Sequence, residues 1–127
     1  AIKGRSNISN YLREILSEAK KEVIICTSAE EFNSKAKLFL QTLEQLKKSN
    51  IKTTIALSGG KDIIMRLQEK LKLKMKQVSI DAKFFIIDRK EILFYLNKSN
   101  TDEDIAIWLN SEFFAQAFAD MFDKAIA

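Results

Sequence analysis

Asp81-Ala82-Lys83-Phe84-Phe85-Ile86-Ile87-Asp88, continued by Arg89-Lys90-Glu91 and then Ile92-Leu93-Phe94-Tyr95-Leu96, reads as two strands joined by a tight turn. Aromatic and β-branched residues over 83–87 and 92–96 favour extended backbone, and the polar residues Asp88 to Glu91 have the length of a hairpin connection. Just upstream, Lys74, Lys76 and Val78 alternate with more polar neighbours, the pattern of a short edge strand. Whatever surrounds this hairpin decides whether the sheet is all-β or α/β.

What precedes it alternates helices with strands. Ile8, Tyr11, Leu12, Ile15, Leu16 and Ala19 follow Asn7 at the spacing of one helical face and end in the basic pair Lys20-Lys21. Glu22 to Thr27 has no polar alternation, as expected of a strand buried on both faces in a parallel sheet. Ser28, with Glu31 three residues later, has capping-box spacing and opens one helix through Phe32, Ala36, Phe39, Leu40, Leu43 and Leu46, stopping near Asn50. A second strand covers Ile51 to Leu57. Ser58-Gly59-Gly60 then breaks the pattern before a third helix through Ile63, Ile64, Leu67 and Leu71.

Beyond the hairpin, a polar stretch from Asn97 to Asp104 leads to a last strand, Ile105 to Leu109. Ser111 is placed to cap a final helix, with Phe114, Ala117, Phe118, Met121 and Phe122 read as its inward face. Buried strands alternating with crossover helices, then a hairpin and a strand, predict an α/β fold: a mixed β-sheet flanked by helices on both faces. Length agrees, because 127 residues make one domain with a single core.

Composition removes several function classes. Hydrophobic residues are 46% and charged residues 30%, which is globular and far from disordered. No apolar run approaches the roughly 20 residues that span a bilayer, and Ala1-Ile2-Lys3-Gly4-Arg5 lacks the apolar region of a signal peptide, so a cytoplasmic domain is expected. Cys26, the single cysteine, lies in the apolar run Val23 to Cys26 and reads as a small buried hydrophobe, which excludes disulfides and cysteine-built zinc sites. The net charge of +4 is unevenly spread. Residues 61–76 contain six basic and two acidic side chains, whereas residues 99–127 contain six acids and only Lys124. Solvated faces are the plain reading of such runs, and a nucleic-acid surface over 61–76 is the sharper alternative, without the interleaved aromatics of a single-strand stacking platform.

The chain contains no histidine, so triads built on imidazole are excluded. Asp102, Glu103 and Asp104 lack the spaced ligands and glycine of a calcium loop and read as a solvated turn. Ser58-Gly59-Gly60-Lys61 falls far short of a phosphate-binding P-loop and reads as a strand-to-helix turn. Trp108 reads as core or dimer contact, and the four phenylalanines Phe113, Phe114, Phe118 and Phe122 exceed what one short helix usually buries alone, which points to a homodimer interface.

The opening stretch resembles a phospholipase D half-site, His-x-Lys-x4-Asp with Gly-Ser about six residues on. Asp81, Lys83 and Asp88 fall on the three motif positions, with aspartate in place of the nucleophilic histidine and the bulky pair Tyr95-Leu96 in place of Gly-Ser. An imidazole attack on phosphorus is therefore unavailable, and a carboxylate at position 81 repels phosphate. Lys83 is expected to form a structural ion pair with Asp81 or Asp88.

Together with the helix over Ile8 to Ala19, the strand Lys21 to Ile25, the turn Ile86 to Glu91 and Ala106-Ile107-Trp108-Leu109, the lead-in Ala1-Ile2-Lys3-Gly4-Arg5 resembles the C-terminal effector domain of TrmB-like archaeal transcription regulators. That resemblance implies a phospholipase D-like domain without working catalytic residues, cut from a longer chain whose N-terminal winged-helix domain reads DNA. It implies a homodimer, a possible small-molecule effector, and no catalytic residue, metal or cofactor. Sugar-sensing members build much of their pocket from a further C-terminal β-rich region, which these 127 residues do not include. A ligand would enter at the C-terminal ends of the strands, as in other open α/β sheets. Thr27, Ser28, Ser58, Lys83 and Asp88 are the expected lining. The runner-up to this regulatory reading is a phosphodiesterase or nuclease with a non-standard site.

Overall fold

The computed structural model describes residues 1–97 and 103–127. These form seven strands, β1 (Ile2–Lys3), β2 (Glu22–Ser28), β3 (Lys52–Ser58), β4 (Lys76–Val78), β5 (Phe84–Ile87), β6 (Glu91–Tyr95) and β7 (Ile105–Asn110), and five helices. The helices are α1 (Arg5–Ser17), α2 (Ala29–Ser34), α3 (Ala36–Lys48), α4 (Lys61–Leu71) and α5 (Glu112–Ile126). The sheet order is β1-β7-β6-β5-β2-β3-β4. Strand β2 runs parallel to β3 but antiparallel to β5, and β4 continues the parallel side as the edge expected from its short alternating segment.

Two hydrophobic clusters cover the two faces, and strand alternation sorts the residues between them. Val23, Ile25, Ile55, Leu57, Phe85 and Leu93 pack beneath α1 to α4, where Phe32 and Phe39 stack with centroids 4.7 Å apart and Phe85 joins at 6.0 Å. Ile24, Cys26, Ala56, Phe84, Ile86 and Ile92 pack beneath α5. Full burial of each large side chain contributes about 1.5–3 kcal/mol, so β2, buried on both faces, anchors the fold.

Several details depart from the sequence reading. The helix expected from Ser28 onward is two helices, broken at Lys35 (φ −108°, ψ 24°). Ser28 caps α2 by accepting from the Glu31 N–H at 3.1 Å, but the Glu31 carboxylate turns toward lysines instead of completing the box. Helix α1 begins at Arg5, so Asn7 lies inside it, with its side-chain amide donating to the Lys3 carbonyl. In α5 the inward face is Ala115, Phe118, Ala119 and Phe122, whereas Ala117 and Met121 point to solvent. The two alanines let the helix approach the sheet closely enough for Phe118 and Phe122 to meet Phe84 edge-on at 4.8 and 5.2 Å.

Candidate functional site

The direction of the chain changes at β2, between a parallel and an antiparallel neighbour, and such a switch opens a crevice beyond the strand ends. Ser28 and Ser58 sit side by side at the ends of β2 and β3. Gly59 follows with φ 132°, and a Cβ there would stand 3.3 Å from the Ala29 Cβ, so glycine lets the β3–α4 turn close against the start of α2. Asp81 to Lys83 enters β5 at the same end, and Tyr95 to Asn97 leaves β6 there. Together these enclose a cavity of about 430 Å³.

Lys83 and Tyr95 line the cavity, and behind them lies an ionic cluster. Lys83 and Glu31 approach to 3.5 Å, Lys35 and Glu31 to 3.1 Å, and both ammonium groups lie over the Tyr95 ring, at 4.9 and 5.5 Å from its centroid. Lys35 also donates to the Tyr95 hydroxyl at 3.3 Å. Burial, reinforced by the Glu31 and Asp104 carboxylates, pushes the Tyr95 phenol well above its ordinary range, so it remains protonated. Lys83 thus pairs with Glu31, not with Asp81 or Asp88. Strand geometry explains the correction: Asp88 lies beyond the far end of β5, while α2 folds directly over Lys83. The Lys83 Nζ has no hydrogen-bond acceptor among the described residues, so a ligand oxygen would meet an ammonium group short of acceptors.

Of the five expected lining residues, Ser28, Ser58 and Lys83 come together around the cavity. Thr27 is 1% exposed and lies under it. Asp88 is at the opposite end of the sheet, in the hairpin turn, where it and Arg89 have φ 57° and 54°, the sign that primed hairpin turns require. Its carboxylate accepts from the backbone N–H groups of Lys20, Lys21 and Glu22 at 3.1, 2.8 and 2.9 Å. Burial raises its pKa, but those three N–H groups outweigh burial and hold the carboxyl below the ordinary aspartate value. Arg89 binds Glu22 at 2.8 Å and reaches Asp120 and Asp123 of α5 at 3.0 and 2.6 Å, fastening that helix to the hairpin. These hydrogen-bonded carboxylates raise its pKa further.

Sequence reasoning missed Glu31 and Lys35 as site residues, because capping spacing accounted for the first and nothing in the helical pattern singled out the second. Tyr95 was noticed only as too large for a glycine position. Asp104 is 1% exposed, so the solvated turn expected there does not extend to it; Asp102 lies outside the described residues. The charged side chains of 61–76 all face solvent, on α4 and the segment after it. Trp108 donates to Glu91 at 3.0 Å and meets Tyr11 edge-on at 5.7 Å, which places it at the rim of the α1 core. Among the described residues no three acidic, cysteine or histidine side chains gather as they would around a metal ion. No helix among them is long and apolar enough to cross a membrane.

Residues 1–126 match the family model described as Transcriptional regulator TrmB, EBD N-terminal subdomain. The chain belongs to the TrmB family. A solved structure similar to this TrmB domain is TrmBL2, an archaeal chromatin protein said to show a novel mode of DNA binding, with TM-score 0.69 and 18% identity over 97% of this chain and 49% of that one. The TrmB domain thus spans about half of the TrmBL2 chain. It is also similar to Nuc, a phospholipase D family member from Salmonella typhimurium, with TM-score 0.67 and 14% identity over 91% of this chain and 84% of that one. NucT from Helicobacter pylori gives TM-score 0.67 and 15% identity over 95% and 88%. The fold is therefore phospholipase D-like. A sequence comparison with curated proteins finds no match.

Proposed function

We propose that this TrmB domain is a non-catalytic, effector-sensing and dimerising unit that acts inside the cell on DNA through a domain outside these residues. The observation that carries the reading is the cavity at the strand ends. It occupies the place of a phospholipase D half-site, but Asp81 stands where that chemistry needs histidine, and Lys83 is drawn to Glu31. What remains suits binding more than turnover: hydroxyls of Ser28 and Ser58, the Lys83 ammonium, and the stem of Tyr95.

The charged residues lining the cavity, Lys83 and Asp81, cancel, and so do Lys35 and Glu31 behind them, which favours a neutral or zwitterionic ligand rich in hydrogen-bonding groups over a phosphate ester. Such a ligand would act by population shift, stabilising whichever arrangement of two copies it binds better and so changing the spacing of the attached DNA readers. Ser28, Ser58 and Lys83 are the proposed contacts, with Tyr95 added; Thr27 lies beneath them, and Asp88, at the far end of the sheet, is not one of them.

The second copy would meet the outer face of α5. Phe113 is 89% exposed and Met121 67%, with Ala117 between them one helical turn from each. Of the three acids on α5, Asp120 and Asp123 are already paired with Arg89, so a two-fold contact here has only Glu112 as a bare carboxylate beside it. The test is a thermal-shift screen of sugars, amino acids and other metabolites, with calorimetry on any hit and on Lys83→Met. Binding abolished by that substitution supports the reading. Turnover of a phosphodiester substrate that disappears in the same variant would overturn it.

A further inference from the structure

A second concavity lies away from the strand-end cavity. It is a groove of about 800 Å³ between α1, the α2–α3 break and the end of α4. Arg5, Ser9 and Arg13 line it from α1 at successive turns of one helical face, Lys37 and Gln41 from α3, and Lys70 from α4. No carboxylate lines it. Of the two acids of the adjoining α2, Glu31 is turned inward to Lys35 and Lys83, and the exposed Glu30 does not line the groove.

The cations are uncommitted. Arg5, Arg13, Lys37 and Lys70 are exposed, and none makes an ion pair or hydrogen bond to another described residue. What sets these four apart from the other exposed basic side chains is that they converge on one concave surface that no carboxylate lines. Their field adds over the groove because low-dielectric walls focus it. Their spread also says something about the ligand. At 1.5 Å per residue, Arg5 and Arg13 are about 12 Å apart along the helix axis, too far to close on a single phosphate and suited to charges repeated along a chain. Ser9, Asn33 and Gln41 add neutral donors between them.

We propose that this groove binds a linear array of phosphate groups, contacted by Arg5, Arg13, Lys37 and Lys70. Two sources share that chemistry: the backbone of duplex DNA held nearby by the rest of the protein, and a free linear polyphosphate. The groove opens away from the strand-end cavity and adjoins it through Lys35, which lines the groove while its ammonium reaches Tyr95.

The test is fluorescence anisotropy with a labelled duplex, a labelled linear polyphosphate and a labelled polyglutamate of matched charge, each titrated across salt concentrations. Four phosphate contacts predict that log K falls against log salt with a slope of about −3.6 for duplex DNA. Charge reversal of Arg13→Glu with Lys37→Glu removes two contacts and adds two repulsions, so the slope should fall to about −1.8 or binding should vanish. Because both side chains are exposed and unpaired, circular dichroism and Tm should remain those of the parent. Reversal of Lys61 and Lys76, which belong to the 61–76 basic run but do not line the groove, is the control and should leave affinity unchanged. Binding of the duplex alone identifies a nucleic-acid backbone as the source, and binding of polyphosphate alone identifies the free anion. The proposal fails if neither binds, if polyglutamate binds as well as the phosphate chains, or if the Lys61 and Lys76 reversals weaken binding as much as the groove reversals.

Discussion

Asp88→Asn isolates the charge that fastens the hairpin to the rest of the sheet. Asparagine tolerates the left-handed backbone at φ 57° as well as aspartate does, so no backbone strain enters the comparison. It keeps one acceptor oxygen for the Lys21 and Glu22 N–H groups, but turns an amide toward Lys20, whose N–H now lies 3.1 Å from the second carboxylate oxygen. Hydrogen bonds to a charged acceptor contribute about 1.5–3 kcal/mol net, and losing that increment should lower Tm by roughly 5–10 °C for a domain of this size. The pH dependence carries the sharper information. Because the folded carboxyl is held below its unfolded value near 3.9, its contribution is fully present above that pH and is lost as pH falls through the folded value. Urea unfolding of parent and variant at pH 7, 5 and 3.5 should therefore give a wide gap at pH 7 that narrows below about pH 4. A gap of the same size at every pH, or none at pH 7, would refute the reasoning. Ligand binding at the strand-end cavity should be unaffected, because Asp88 lies at the other end of the sheet.

The ionic cluster behind the cavity predicts an unequal pair. Glu31→Gln leaves two buried ammonium groups without their carboxylate and should cost about 3 kcal/mol in chemical denaturation, whereas Lys83→Met removes a buried charge and leaves Glu31 paired with Lys35, costing less than half as much. Phe113→Ser with Met121→Ser should convert a dimer to monomer in light scattering while leaving monomer stability within about 0.5 kcal/mol, as expected at exposed positions. The Cys26 thiol is fully buried and burial raises its pKa to about 11, so it should react with a disulfide reagent only as fast as the domain opens; rapid reaction at pH 8 would contradict its place under α5.

The sheet and most helices were legible because their signals are local. The β-branched run at β2, the glycine pair after β3 and the polar turn at Asp88 each name their structure within a few residues. The two-residue strand β1 was not, since Ile2–Lys3 has no period to read and is a strand only because β7 pairs with it. The break at Lys35 carries neither glycine nor proline; it falls at the residue whose ammonium is drawn inward to Glu31 and Tyr95, a tertiary cause. Helix α5 is apolar on most sides, so periodicity alone offered two faces, and close packing through Ala115 and Ala119 chose between them. At the site, strand-end serines and Lys83 were legible from position in the topology. The partner of Lys83 was not, because it comes from a helix distant in sequence, and the nearby acids Asp81 and Asp88 were the natural but mistaken candidates.

The central claim is that the former catalytic position now serves recognition. Thermal shift across a metabolite library, run in parallel on the parent and on Lys83→Met, tests it most directly. The account predicts at least one neutral or zwitterionic compound that raises Tm by several degrees in the parent and by none in the variant, following mass-action stabilisation of about 2.7 kcal/mol at a hundredfold excess over Kd. A screen in which phosphodiesters alone stabilise the parent and are hydrolysed by it would contradict the claim.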